Sequence, residues 1–119
     1  MIPDFPIGEF FDRLAISQVK WEKIQNNKEE LDWYTNQVDE KLLDSINDQF
    51  ENLKDIHRKI WELEFALKMG KEQELPLEEI GRRAIAIRDW NNKRTTLKNQ
   101  INELLDCAVR EIKKDHLSE

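Results

Sequence analysis

Residues 83–105 read RAIAIRDWNNKRTTLKNQINELL. This stretch decides the fold because its apolar stripe is interrupted at one place, by the polar residues Asn91 and Arg94. Steps of three and four along the chain predict one face of a long helix. The face consists of Leu77, Ile80, Ala84, Ile87, Asn91, Arg94, Leu97, Ile101, Leu104, Ala108 and Ile112. Asn91 and Arg94 stand at its centre, where burial is costly unless polar partners are supplied. We therefore predict that other helices bring such partners to Arg94.

Length and composition predict a single all-α domain over residues 1–119. A chain of 119 residues suits one domain with a modest core. Charged residues make up 37% of the chain, and there are only three Gly and three Pro. This composition is typical of a helical protein whose outer faces are solvated.

Charge and hydropathy argue against several classes of partner. The net charge is -6 and no long basic run is present, which argues against binding to duplex nucleic acid. No run of 18 apolar residues and no classical secretion signal are visible, so we expect neither a membrane span nor secretion. The single Cys107 has no internal disulfide partner, which indicates a cytoplasmic protein and a packing role for this residue.

The apolar spacing predicts four helices. Pro6 and Pro76 suit the starts of the first and last, and Gly70 suits the end of the third. Ser45 and Asp48 have the spacing of a capping box, which favours a break there over a continuous helix through Ile46. The predicted bounds are Pro6 to about Gln25, Lys28 to about Leu43, Ile46 to Met69, and Pro76 to about Lys114.

The third and fourth helices are predicted to form the spine of a four-helix bundle. The short polar loop Lys71–Leu75 between them favours an antiparallel hairpin, against which the first two helices fold. A fourth helix of about 38 residues would be ~57 Å long, which exceeds what a chain of this size covers alone. We therefore predict a homodimer or higher homo-oligomer.

Polar residues on inward-leaning faces leave three interpretations open. They are Glu9, Asp12, Glu64, Asn91, Asn92 and Arg94. The first interpretation is a buried structural network around the Arg94 guanidinium. On this interpretation Arg94 pairs with a carboxylate among Glu9, Asp12 and Glu64, and Asn91 is hydrogen-bonded into the same cluster.

The second interpretation is a pocket for a small anionic ligand. Arg94, helped by Arg88, would bind a phosphate or carboxylate, with Asn91 and Asn92 beside it. Trp61 or Trp90 would stack on a planar ring of the ligand.

The third interpretation is a magnesium site, for which Mg²⁺ would be the cofactor. Glu9-x-x-Asp12 places two carboxylates on one helical face, and Glu64 would supply a third oxygen ligand. The all-α nucleotide pyrophosphohydrolases build their sites from paired ExxE and ExxD helices. Glu62 and Glu64 diverge around their helix, so only the first pair has that spacing. His57 and His116 have no second ligand at metal spacing and are predicted to be uninvolved.

Several patches of the sequence resemble a family of short, uncharacterised all-helical proteins of bacteria and phages. The patches are Gly8-Glu9-x-x-Asp12-Arg13-Leu14-x-Ile16, Trp61-x-Leu63-Glu64, Asn91-Asn92-x-Arg94, Leu97-Lys98 and Ile101-Asn102-Glu103-Leu104-Leu105. The family carries Asp, Lys and Gly where this chain has Asn92, Arg13 and Asp106. The Asn92 difference weakens a metal or acid–base role at that position. The resemblance implies a shared polar centre and brings no activity with it.

The sequence favours a small non-enzymatic protein that binds an anionic, nucleotide-like molecule. A phage origin would make capture of a host metabolite or signalling nucleotide a suitable role. A magnesium-dependent nucleotide pyrophosphohydrolase is one alternative, and a structural or adaptor protein without a ligand is the other.

Overall fold

The computed structural model describes residues 6–68 and 75–105, without the side chains of residues 66–68. This part of the chain is all-helical, as predicted, but it forms five helices instead of four. They are α1 (Ile7–Ile24), α2 (Lys28–Gln37), α3 (Glu40–Ser45), α4 (Asn47–Lys68) and α5 (Leu77–Leu104). None of these five helices combines the length and apolar character needed to span a membrane.

The additional helix arises at Asp39, which the sequence analysis did not identify as a cap. The Asp39 carboxylate accepts hydrogen bonds from the backbone N–H groups of Lys41 and Leu42, at 2.9 and 3.3 Å. A carboxylate in this position satisfies N–H groups that have no partner within the helix. The helix predicted from Lys28 to Leu43 is therefore split into α2 and α3, a correction to the four-helix prediction.

The break predicted after Ser45 is confirmed, although the predicted capping box is wrong. α3 ends at Ser45 and α4 begins at Asn47. The Ser45 hydroxyl donates to the carbonyl oxygen of Leu42 in its own helix, at 2.7 Å, and does not cap α4. Ile46 lies between the two helices and is fully buried, so its side chain anchors the turn in the core.

The two long helices form the predicted antiparallel spine. Arg83, near the start of α5, donates to the carbonyl oxygen of Leu63, near the end of α4, at 3.2 Å. α1 packs on both long helices and runs antiparallel to α5, since Gly8 meets Asn102 and Asp12 meets Arg94. The predictions for Gly70, the Lys71–Glu74 loop, Cys107 and His116 lie outside the described residues. The predicted end of the last helix near Lys114 is wrong, because α5 ends at Leu104 with Leu105 as its C-cap and is 28 residues long.

The core lies where α1, α4 and the carboxyl-terminal half of α5 meet. Its buried apolar side chains are Phe10, Phe11, Leu14, Ala15, Ile46, Phe50, Leu53 and Ile101. The rings of Phe10 and Phe11 meet edge to face, with centroids 5.3 Å apart, and Phe11 meets Phe50 in the same way at 6.3 Å. Such pairs add to the stabilisation that burial of their area provides.

The predicted apolar face of α5 is only partly buried. Ile101 is fully buried, but Leu77 is 86% exposed and Leu104 is 57% exposed. Lys98 and Asn102 are buried instead, at 2% and 1% exposure. After Arg94 the buried face therefore passes through Lys98 and Asn102 and leaves Leu104 outside, because α1 supplies polar partners to this side of the helix.

Candidate functional site

Asp12 is the centre of a buried polar cluster that joins three helices. Its side chain is fully buried on α1. Arg94 on α5 donates from Nε to both carboxylate oxygens, at 3.2 and 3.1 Å. Arg94 Nη1 also donates to Asn91 Oδ1, at 2.9 Å. The prediction that Arg94 pairs with one of three carboxylates, with Asn91 in the same cluster, is confirmed.

His57 on α4 is a member of this cluster that the sequence analysis missed. Its Nε2 lies 2.7 Å from Asp12 Oδ1. An ionised carboxylate only accepts hydrogen bonds, so Nε2 is the donor and carries a proton. His57 follows Ile56 of the apolar stripe of α4, and this position on the flank of the stripe was the available signal.

Lys98 on α5 is the second missed member. Its ammonium lies 2.6 Å from Glu9 Oε1 and 3.9 Å from Asp12 Oδ2. Glu9 also accepts from Arg13 Nε, at 2.7 Å, so two cations hold this carboxylate. Lys98 is one residue beyond Leu97, which the apolar spacing assigned to the buried face. Leu97 packs against the core and is half-buried, while Lys98 on the neighbouring face is fully buried.

The cluster keeps both carboxylates ionised. Burial raises the pKa of Asp12, but the hydrogen bond from His57 and the charges of Arg94 and Lys98 outweigh it and hold this pKa below its ordinary value. Burial likewise raises the pKa of Glu9, and the hydrogen bonds from Lys98 and Arg13 outweigh it. The negative charges are therefore permanent near neutral pH and fix the orientation of Arg94, His57 and Lys98.

A close backbone approach holds α1 against α5 beside this cluster. The Gly8 N–H donates to Asn102 Oδ1, at 2.7 Å. A Cβ at residue 8 would overlap the carbonyl oxygen of Lys98 and lie 2.9 Å from Asn102 Oδ1. Only glycine allows this approach, which sets the distance between Glu9 and Lys98.

A cavity of about 530 Å³, hereafter the Arg94 cavity, opens beside the cluster between α1, α4 and α5. Its lining residues are Ile16, Val19, Lys20, His57, Ile60, Trp61, Glu64, Asn91 and Arg94. The volume lies in the range of small-molecule sites, which combine apolar walls with a few oriented polar groups. The structure thus brings together Trp61, Glu64, Asn91 and Arg94 from the sequence prediction.

Two nitrogen atoms of the cluster remain available to a ligand. Within residues 6–68 and 75–105, the hydrogen bonds of Arg94 use Nε and Nη1, and that of His57 uses Nε2. The side chains of Arg94 and His57 are 20% and 9% exposed, and Arg94 Nη2 and His57 Nδ1 are not among the buried atoms without a hydrogen-bond partner. Asp12 and Asn91 therefore hold Arg94 in place while part of its guanidinium stays free to bind.

Three predicted ligand-binding residues lie away from this cavity. Trp90 lines a different cavity of about 420 Å³ between α4 and α5, where Lys93 Nζ lies 4.4 Å from the centre of its ring. Arg88 is exposed and pairs with the adjacent Asp89, at 3.2 Å. Asn92 is also exposed. The helical repeat turns these three side chains away from the face that carries Asn91 and Arg94.

The predicted metal group of Glu9, Asp12 and Glu64 does not form. In the part of the chain that the structure describes, no three His, Cys, Asp or Glu side chains are grouped so that they could hold a metal ion. The carboxylates of Glu9 and Asp12 form salt bridges instead, with Lys98, Arg13 and Arg94. Glu64 lies apart from them on the cavity wall.

Comparisons of the whole chain with protein-family models, with curated proteins and with solved structures find no match. The family resemblance drawn from the sequence patches therefore stays a prediction. The geometry of the Arg94 cavity supplies the evidence about function.

Proposed function

We propose that this protein binds a small anionic, nucleotide-like molecule in the Arg94 cavity and does not transform it. One observation carries this proposal: Arg94 is held by Asp12 and Asn91, yet its side chain is 20% exposed and lines the cavity. A guanidinium is always charged and binds phosphate or carboxylate oxygens in a planar, directed geometry. Because it is already oriented, little conformational entropy is lost on binding.

The charges around the cavity support an anionic ligand. Lys20 lies on the wall with Arg94, and its ammonium is 3.9 Å from Glu30 Oε1. Glu64 is the acidic residue of the same wall. The Asp12 carboxylate is fully buried behind Arg94. The wall therefore combines two cationic side chains with one carboxylate, which favours an anion beside Arg94.

The aromatic wall supports a ligand that also contains a flat ring. Trp61 lines the cavity together with Ile16 and Ile60. An indole face stabilises a planar ring by stacking, and the neighbouring aliphatic side chains exclude water from it. An anion joined to a flat ring is the chemistry of a nucleotide.

Self-association and a biological setting complete the proposal. Leu77 is 86% exposed and Ile85 is 54% exposed in the amino-terminal half of α5, so a second copy would gain free energy by covering them. The sequence resemblance supports capture of a host metabolite or signalling nucleotide as the biological role.

Calorimetric titration with AMP tests the binding function. In Arg94→Lys the charge remains but the directed second donor is lost, so we expect AMP binding to weaken about tenfold or more. The melting temperature should change little, because the lysine still faces Asp12. The matched control is Arg88→Lys on the same helix, which should bind like the wild type. Equal affinities in all three proteins, or no binding by the wild type, would contradict the proposal.

A further inference from the structure

A second cavity adjoins the Arg94 cavity at Trp61. Its volume is about 370 Å³, and its lining residues are Lys23, Ile24, Trp61, Glu62 and Phe65. Trp61 belongs to the walls of both cavities. On α1 the lining moves from Lys20 to Ile24, which is one helical turn or ~5.4 Å further along. The two cavities are therefore neighbouring compartments of one groove between α1 and α4.

The two compartments differ in charge. Lys20 and Arg94 line the first together with one carboxylate, that of Glu64. In the second, Lys23 and Glu62 balance each other. The first compartment therefore favours an anion, whereas the second favours a neutral group.

The second compartment also has an apolar surface that nothing in the described chain covers. Phe65 is 49% exposed and Ile24 is 45% exposed. Together with Trp61 they form two aromatic rings and one branched aliphatic side chain around a shallow opening. Aromatic rings at the mouth of a cavity stack on nucleobases of any identity, because every base has a π-face.

We propose that this second compartment is the ring subsite of the same ligand, with a nucleobase between Trp61 and Phe65 and its phosphate at Arg94. This inference rests on the proposed function, which it extends to a ligand class, the nucleoside monophosphates. The sugar spans the helical turn between the two compartments. Stacking involves no hydrogen bonds to the edges of the base, so purine and pyrimidine monophosphates bind with similar affinity.

Titration calorimetry with inorganic phosphate, ribose 5-phosphate and AMP tests the ring subsite. In the wild type, AMP should bind on the order of tenfold more tightly than ribose 5-phosphate. In Phe65→Ala this ratio should fall towards one, while the affinity for inorganic phosphate stays unchanged. Phe65→Tyr keeps a ring and should keep the ratio.

Trp33→Ala is the matched control, because Trp33 is 48% exposed, similar to Phe65, but lies on α2 and lines neither compartment. It should leave the ratio as in the wild type. A ratio that survives in Phe65→Ala, or AMP binding no tighter than ribose 5-phosphate, would overturn the ring subsite and leave anion binding intact. Failure of all three probes to bind would overturn the proposed function and the subsite with it.

Light scattering on the same proteins separates a ligand surface from an interface between copies. The subsite predicts equal molecular masses for the wild type and Phe65→Ala. If Phe65→Ala converts an oligomer into a monomer, the apolar surface is a subunit interface and the ring subsite is wrong.

Discussion

The two halves of α5 differ in burial: polar side chains are buried in the carboxyl-terminal half, whereas apolar side chains are exposed in the amino-terminal half. In the carboxyl-terminal half, Lys98 and Asn102 are 2% and 1% exposed. In the amino-terminal half, Leu77 and Ile85 are 86% and 54% exposed. A ranking of side chains by hydrophobicity alone would predict the reverse.

The difference shows that the partner helix decides what α5 buries. α1 lies against residues 94–102 and offers Glu9, Asp12 and the Gly8 N–H to the polar groups there. Buried polar groups with such partners lose little free energy relative to water. Further along α1, the Arg94 cavity separates Ile16 and Lys20 from α5. The carboxyl-terminal half of α5 is therefore packed against α1, and its middle lines the Arg94 cavity.

Of the predicted changes, removal of the Asp12 carboxylate should lower stability the most, because it removes the polar partner of the carboxyl-terminal half of α5. Asp12→Ala leaves Arg94 and His57 without their shared carboxylate in a buried setting, so we expect a loss of about 3–5 kcal/mol in the free energy of unfolding. Urea denaturation measures this loss. The control is Asp32→Ala, which removes an exposed carboxylate paired with Lys28 and should change stability by less than about 1 kcal/mol. Similar losses in both variants would mean that the cluster does not hold the helices together.

Acidic pH should lower the stability of the protein, because Asp12 and Glu9 hold α1 against the carboxyl-terminal half of α5. The pKa values of Asp12 and Glu9 are lowered in the folded protein from 3.8 and 4.5, so the unfolded chain takes up these protons at higher pH. The stabilisation they provide is complete above about pH 5 and is lost as the pH falls through the folded values. Each pH unit of lowering corresponds to about 1.4 kcal/mol.

Denaturation at several pH values between about 5 and 3 measures this loss. Asp12→Asn serves as the comparison, because its amide does not titrate and only Glu9 of the pair remains. The stability of the wild type should therefore fall more steeply than that of the variant. Parallel curves would show that Asp12 has the same pKa in the folded and unfolded chains.

Two glycine substitutions also test the difference between the two halves of α5, and their expected effects on stability are the smallest. Gly8→Ala places a methyl group against the Lys98 carbonyl oxygen, so α1 must move away from α5 at a cost of about 1–3 kcal/mol. Gly81 lies in the exposed half of α5, where no atom other than those of the adjacent residues and the helix's own backbone comes within 4 Å of the position that an alanine methyl group would take. Gly81→Ala should therefore stabilise the protein by about 0.5–1 kcal/mol, because alanine favours the helix. Thermal melts of the two variants should shift in opposite directions, and shifts of the same sign would contradict this assignment.

The sequence by itself determined the helical class, the antiparallel spine and the central pairing. Arg94 interrupts an apolar face and cannot lose its charge, so a buried carboxylate had to meet it, and Asp12 does. Pro6 and Pro76 precede the first residues of α1 and α5, close to their predicted positions. These features follow from local spacing and from the cost of an unpaired charge.

Only the tertiary structure decided which side of α5 is buried and which residues share the cavity. Neighbouring faces of a helix differ by a rotation of one residue, so spacing alone could not separate Lys98 from Leu97 or place Trp90 away from Arg94. The contact of His57 with Asp12 joins residues 45 positions apart, and the close approach of Gly8 to Asn102 joins residues 94 apart. Such contacts depend on how α1 crosses α4 and α5, which side-chain complementarity across the whole core determines.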